Sequence, residues 1–400
     1  MNILVLTSIY PADDLPKTYT PVVHYFTKEW VRQGHCVRVV HSASVFPRLF
    51  YWLARRIGVA RVASKVGSTV PERRIEDRNY EWEGIPVARH CIQKIIPHGR
   101  FSGRAIQGQV RKIIEFCKRD NFVPELIVGH WMNPQLELLV ALRESFPSAR
   151  TALTLHEKPE ALKALYFRDW DVLLHRVDKI GARNRVLSIK NQEELSIERK
   201  NAYVCQSGIP DVFLDSDELH CFSDDRNRYI FVGTLFERKY PEAILKALIL
   251  NQEREFSVTY IGAGEQEREI HRIVQEFEIQ GCVHLLGRMP REQIKSHLRE
   301  SDVFVMISRD EVYGLVYLEA MAQGCITIAA RNEGFDGIIE DGVNGFLCEA
   351  GNVSELASIL TKIKSLSGED LACISRNAQE AARSMSDSIC AKKYLKALVG

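Results

Sequence analysis

The sequence predicts an α/β protein made of two doubly wound parallel sheets, and three observations predict it. The chain has 400 residues, more than one ordinary core accommodates. Short β-branched and apolar runs alternate with longer amphipathic ones, and the alternation occurs twice. Between the two series lies LDSDELHCFSDDRNR (214–228), polar and without apolar period, which reads as a linker.

The strand-like runs of the first half are ILVLT (3–7), VRVVH (37–41), LIVGH (126–130), ALTLH (152–156), KIGAR (179–183) and AYVCQ (202–206). Those of the second are YIFVGT (229–234), FSVTYIG (256–262), VHLLG (283–287), VFVMIS (303–308) and ITIAA (326–330). Helical patterns such as PEAILKALILNQ and REQIKSHLRES fill most gaps, and a helix is expected over roughly 384–399. The expected domains are 1–213, 229–380 and a closing helical segment, 381–400. Ligands of such sheets sit beyond the carboxyl ends of the strands.

Composition narrows the class. Apolar runs are far shorter than the ~18 residues that cross a bilayer. The amino terminus enters a strand directly, so no export signal is expected. Ten cysteines are scattered without a C-x-x-C pair, which suits reduced thiols in a cytoplasmic protein rather than a disulfide frame or zinc site. Formal net charge is +1, but residues 1–215 hold 32 Lys+Arg against 23 Asp+Glu and the remainder 21 against 29. A basic first half suggests an anionic partner. No nucleic-acid-binding motif is present.

The stretch RDEVYGLVYLEAMAQG (309–324) follows a strand and opens a helix near Gly314. Amides of Tyr313, Gly314, Leu315 and Val316 would be unpaired there, a ready diphosphate site. Glu311 and Glu319 bracket the helix start. Eight helical residues would separate them by about 12 Å, too far to share one metal or proton. They suit hydroxyls at opposite ends of a ligand with an anionic middle. From the residues alone, Glu319 is equally a surface side chain and Glu311 a charge favoured by the helix dipole. Gly233, Gly262 and Gly264 end strands, and Arg238 or Lys239 can neutralise phosphate oxygens.

DEVYGLVYLEAMAQG resembles the E-x7-E signature of the family 4 retaining glycosyltransferases, which have the GT-B fold: two Rossmann-like domains facing across a cleft. VGTLFERK (232–239) resembles the family's V-G-R-L-x-x-x-K, and YIGAGEQE its G-x-G-P-E. VHLLGRM, GVNGFLCEAGNVSEL, TPVVHYFTKEWVRQGHCV and QSGIPDVF match further family stretches, in order and over nearly the whole chain. The resemblance implies that Glu311 contacts the donor sugar and Glu319 the ribose. Lys239 would bind the diphosphate, with Gly233, Thr234 and Arg238 alongside. Arg288 and Met289 would lie by the base. From the other domain His156 would reach the transferred sugar, while Thr20, Pro21 and His130 would form an acceptor-side or phosphate loop. Departures are Thr234 for the usual arginine, Thr20 for the usual glycine, and EGFDG (333–337) for G-G-x-P-E.

The resemblance further implies transfer from a nucleotide sugar, UDP-sugar favoured, by front-face substitution with domain closure and without a metal or other cofactor. Asp169-x-Asp171 and Asp215-x-Asp217 have D-x-D spacing but do not end strands. Residues 43–71 carry five basic and no acidic residues beside an aromatic cluster, which suits either peripheral contact with an anionic membrane or a partly buried helix. The first would serve a lipid-diphosphate-linked saccharide acceptor of a bacterial surface polysaccharide or lipopolysaccharide pathway. The alternatives are a small soluble acceptor, a nucleotide-sugar epimerase, or a two-lobed binding protein without chemistry.

Overall fold

The computed structural model describes residues 1–15, 21–47, 50–52, 74–94, 99–214 and 220–400. Two compact units emerge: residues 1–183, 187–205 and 390–400, and residues 184–186 with 206–389.

The first unit holds one sheet of eight strands. They are β1 (Asn2–Thr7), β2 (Cys36–Val45), β3 (Arg78–Trp82), β4 (Ile85–Gln93), β5 (Leu126–His130), β6 (Arg150–Leu155), β7 (Lys179–Ala182) and β8 (Ala202–Val204). Their order is β3-β4-β2-β1-β5-β6-β7-β8. All neighbours are parallel except β3 and β4, which form an antiparallel hairpin turning at Glu83 (φ 48°) and Gly84 (φ 80°). That hairpin is absent from the sequence reading. Its inner strand carries Arg89 and His90, which are buried, so charge masks the apolar pattern. Arg89 is neutralised by a bidentate pair with Asp14, at 2.6 and 2.7 Å.

The central strands are apolar on both faces, as a sheet covered on both sides requires. One covering layer is supplied by the chain's end. Ala391, Tyr394, Leu395 and Leu398 of the helix Asp387–Val399 enter the core beside Phe26 and Trp30. Trp30 Nε1 donates to Ala391 O at 3.0 Å. A buried leucine such as Leu398 contributes about 1.5–3 kcal/mol.

The second unit holds a fully parallel sheet, β11-β10-β9-β12-β13-β14. Its strands are β9 (Arg228–Val232), β10 (Ser257–Ile261), β11 (Val283–Leu285), β12 (Val303–Met306), β13 (Ile326–Ala330) and β14 (Phe346–Cys348). β14 is absent from the expected strands, because FLC is a short apolar run inside the polar, glycine-containing stretch EDGVNGFLCEAGN.

Two boundaries differ from expectation. The second unit begins at Gln206 rather than after residue 213, because Ile209 and Phe213 are buried. Ile209 N–H donates to Met385 O, and Gln323 Nε2 to Phe213 O. The closing segment joins the first unit only from Cys390, not from residue 381. The described part of the expected linker is also bound tightly. Asp302, wholly buried at the foot of β12, accepts from Ser223 N, Ser223 Oγ, Arg228 N and the Arg228 guanidinium at 2.5–3.2 Å. Polar composition here reflects a hydrogen-bonded anchor rather than a solvated tether.

Burial alone would raise the Asp302 carboxyl, but Arg228, Ser223 and the two amides outweigh it and hold it below its ordinary value. The carboxylate therefore contributes stability that is present above the unfolded pKa and lost as pH falls through the folded one. Asp302→Ala is expected to cost about 2–4 kcal/mol in urea unfolding at pH 7. The loss should shrink toward acid. A variant as stable as the parent would remove Asp302 as the anchor.

Candidate active site

The second unit gathers its chemistry where β9, β10 and β12 end. Past Val232 the chain keeps pairing: Gly233 N–H donates to Ile261 O, and Gly262 N–H to Gly287 O. A side chain at Gly262 would put its Cβ 1.8 Å from Gly233 O, so glycine alone permits this approach. Lys239 closes the short 3-10 turn Glu237–Lys239 and reaches back over Gly233, its Nζ 3.7 Å from Met306 Sδ.

Opposite stands Glu311, in the loop between β12 and the helix Leu315–Ala322. Its Oε2 lies 3.2 Å from Lys239 Nζ and 3.7 Å from Arg238 Nη1. The oxygen is buried and makes no directed hydrogen bond, so its ion pair is close but unaligned. A buried carboxylate oxygen held in that state is costly unless something else completes it. Arg238 is committed elsewhere, donating to Asp310 O at 3.2 Å.

Gly314 is the helix N-cap with φ 78°, and the first-turn amides of Leu315 and Val316 have no acceptor four residues back. Two side chains set the helix on the sheet: Tyr317 Oη donates to Met306 O, and Tyr313 Oη to Ser207 O, both at 2.6 Å. The Glu311 loop is fixed by a residue that sequence reasoning missed. Glu333 accepts from the amides of Asp310 and Glu311, each at 2.9 Å. Gly334 follows, and a Cβ there would stand 2.7 Å from Glu311 O and Tyr313 N. The signal lay in EGFDG, read as a departure from the family pattern.

Glu319 is not a surface side chain; it is 4% exposed. Burial pushes its carboxyl up, and Arg291, whose Nε donates to Oε1 at 2.6 Å, opposes that. Arg288 is exposed and Met289 half-buried, in the loop before the helix Arg291–Arg299. Gly264 packs on Leu235, whose N–H donates to Ala263 O. Thr234 is half-buried beside Gly233.

In the first unit, His130 ends β5 and His156 follows β6. His130 Nδ1 lies 3.2 Å from His156 Nε2, and Trp131 stacks on the His156 ring at 4.1 Å. Burial, with Arg183 nearby, pushes His130 down to about 3 and His156 well below its ordinary value. Both rings are neutral at pH 7. Glu157, also missed, accepts from the His156 amide at 3.0 Å; burial raises its carboxyl and backbone amides oppose this. Pro21 is the N-cap of the helix Val22–Arg32. Thr20, Asp215-x-Asp217 and most of residues 43–71 lie outside the described residues. Asp169 pairs with Arg100 at 2.6 Å and Asp171 with His175 at 3.0 Å, so neither is a spare ligand. Among the described residues no group of three His, Cys, Asp or Glu is placed to hold a metal, and no helix is long and apolar enough to cross a membrane.

Two Rossmann-like units, with candidate groups at the carboxyl ends of their strands, define a protein of the GT-B class. Residues 217–381 match the family model described as glycosyl transferases group 1. The chain is 31% identical over 144 residues to the amylovoran biosynthesis glycosyltransferase AmsK of Erwinia amylovora, covering 34% of this chain and 35% of that one. It is 27% identical over 272 residues to an uncharacterized glycosyltransferase of Methanocaldococcus jannaschii, covering 66% and 72%. The match thus spans only about a third of the first relative but most of the second. Among solved structures, Anabaena HepE in complex with UDP superposes with a TM-score of 0.67 at 18% identity, over all of both chains. Sucrose-phosphate synthase of Thermosynechococcus elongatus gives 0.69 at 14%, over 99% and 98%. At such identities these two show the fold alone. Residues 217–381 thus resemble a group 1 glycosyl transferase domain, and the chain as a whole has the GT-B fold.

Proposed function

We propose that the protein is a retaining glycosyltransferase that moves a sugar from a nucleoside-diphosphate sugar to a lipid-linked or saccharide acceptor, forming an α-glycosidic bond in cell-surface polysaccharide or lipopolysaccharide synthesis. The observation that carries this reading is the buried, incompletely bonded Glu311 oxygen 3.2 Å from Lys239, beside a helix amino terminus. A diphosphate completes Lys239 and the first-turn amides, and a sugar hydroxyl completes Glu311. Relatives named for lipopolysaccharide core and colanic acid biosynthesis support the pathway class. HepE, crystallised with UDP and with UDP-glucose, supports UDP as the nucleotide.

In the mechanism, charge develops on the β-phosphate as the glycosidic bond breaks. Lys239 and the helix dipole stabilise it without a metal. The departing phosphate takes the acceptor proton on the same face. Glu311 orients the sugar, Glu319 accepts from the ribose, and His156 donates to the transferred sugar.

A thermal-shift series with UDP, GDP and ADP, each with EDTA, tests this. At a hundred times Kd a ligand stabilises by about 2.7 kcal/mol, a shift of several degrees. UDP is expected to give the largest shift, and its sugar to be hydrolysed slowly without acceptor. Shifts without release of nucleoside diphosphate would identify a binding protein instead. No shift with any nucleotide would overturn the reading.

A further inference from the structure

In the first unit a string of hydrogen bonds runs from the sheet to the candidate catalytic histidine. Tyr203 Oη lies 2.8 Å from Thr154 Oγ1, Thr154 Oγ1 2.7 Å from Tyr394 Oη, and Tyr394 Oη 3.2 Å from His130 Nε2. His130 Nδ1 then meets His156 Nε2 at 3.2 Å. Thus 238 residues of sequence separate His156 from Tyr394, the group supplied by the last helix. We infer that Tyr394, acting through His130, fixes His156 in the tautomer that carries its hydrogen on Nδ1, so that His156 meets its ligand as a hydrogen-bond donor and not as a base.

The direction of the string follows from counting hydrogens. Each hydroxyl has one, and each neutral imidazole has one N–H. Tyr203 ends the string, and Thr154 Oγ1 is the acceptor its phenol meets. Thr154 then donates to Tyr394, Tyr394 to His130 Nε2, and His130 Nδ1–H to His156 Nε2. The remaining hydrogen of His156 sits on Nδ1. Reversing the order would make Thr154 donate into Tyr203, taking from that buried phenol the acceptor it faces.

The surroundings are built for this arrangement. Tyr203 lies across Gly181 of the neighbouring strand, where a Cβ would fall 2.0 Å from the ring. Phe26 packs against both the His130 ring, at 6.1 Å, and the Tyr394 ring, at 4.9 Å. Arg183, whose Nη1 donates to Cys205 Sγ at 3.3 Å, disfavours a positive charge on either histidine. The tautomer of a histidine is set by the bond its other nitrogen makes, and here His130 makes that bond to His156. Tyr394 and His130 are therefore positioning residues.

The catalytic part of this inference rests on the glycosyl-transfer reading; the tautomer does not. The test is a long-range ¹H–¹⁵N correlation spectrum of full-length protein with ¹⁵N-labelled histidine. Loss of signals in His156→Gln and His130→Gln provides the assignment. In the parent, His156 is expected as the Nδ1–H form. In Tyr394→Phe the ring should shift toward Nε2–H or a mixture. There kcat for transfer should fall about tenfold while donor KM stays within about twofold. An Nε2–H form in the parent, or an unchanged tautomer in Tyr394→Phe, overturns the inference. Should Tyr394→Phe fail to fold, the parent spectrum still decides, and Tyr203→Phe removes the terminal donor with Tyr394 in place. An Nδ1–H form in a parent that transfers no sugar would sink the functional reading and leave the string intact.

Discussion

Lys239→Ala is expected to lower turnover about 100- to 1,000-fold while the protein unfolds at nearly the parent's temperature. Nζ sits over Gly233 at the end of β9, 3.2 Å from the Glu311 carboxylate, and is largely shielded from solvent. A cation held there meets the charge that grows on a leaving diphosphate in surroundings where water does not compensate its loss. On the proposed function Lys239 would make the same contact to bound UDP, so affinity for UDP should fall in parallel, by about 10- to 100-fold. Lys239→Arg should recover only part of the turnover, since a planar fork does not place its charge where an ammonium does. Steady-state kinetics and calorimetric titration with UDP measure both effects. Turnover within threefold of the parent would exclude Lys239 from the reaction.

Glu311→Gln should also lower turnover about 100-fold, but with the opposite effect on UDP. In the ligand-free site the Glu311 carboxylate offsets the charge of Lys239. Glutamine keeps the shape and removes that charge, leaving the notch more electropositive. UDP should therefore bind at least as tightly as to the parent, although sugar transfer fails for want of an anionic acceptor to the sugar hydroxyls. The contrast separates the roles of the two residues. A parallel fall in UDP affinity would make Glu311 only a structural partner of Lys239. The double variant should lose little more than the worse single one, because the two act as a unit.

The sequence by itself determined the two parallel α/β sheets, most strands to within a residue or two, and the helix opening at Gly314. It could do so because these features are local. A buried parallel strand is a short apolar run, a strand-end glycine marks a close approach, and an N-cap lies beside the turn it closes. The order of Lys239, Glu311 and Glu319 along the chain was likewise legible, through spacing and resemblance. Tertiary structure decided what those groups touch. Only packing shows that Glu319 is buried against Arg291, that Glu333 grips the backbone of the Glu311 loop, and that Asp302 draws the polar stretch onto the second sheet. The β3–β4 hairpin was hidden because Arg89 is compensated by Asp14, 75 residues away. Partners so distant leave no periodic trace, and a charged residue in a strand reads as exposed until its counter-ion is known. The string from Tyr203 to His156 is the extreme case: its members come from three strands, the residue after one of them and the final helix, and only the folded chain brings them into hydrogen-bonding reach.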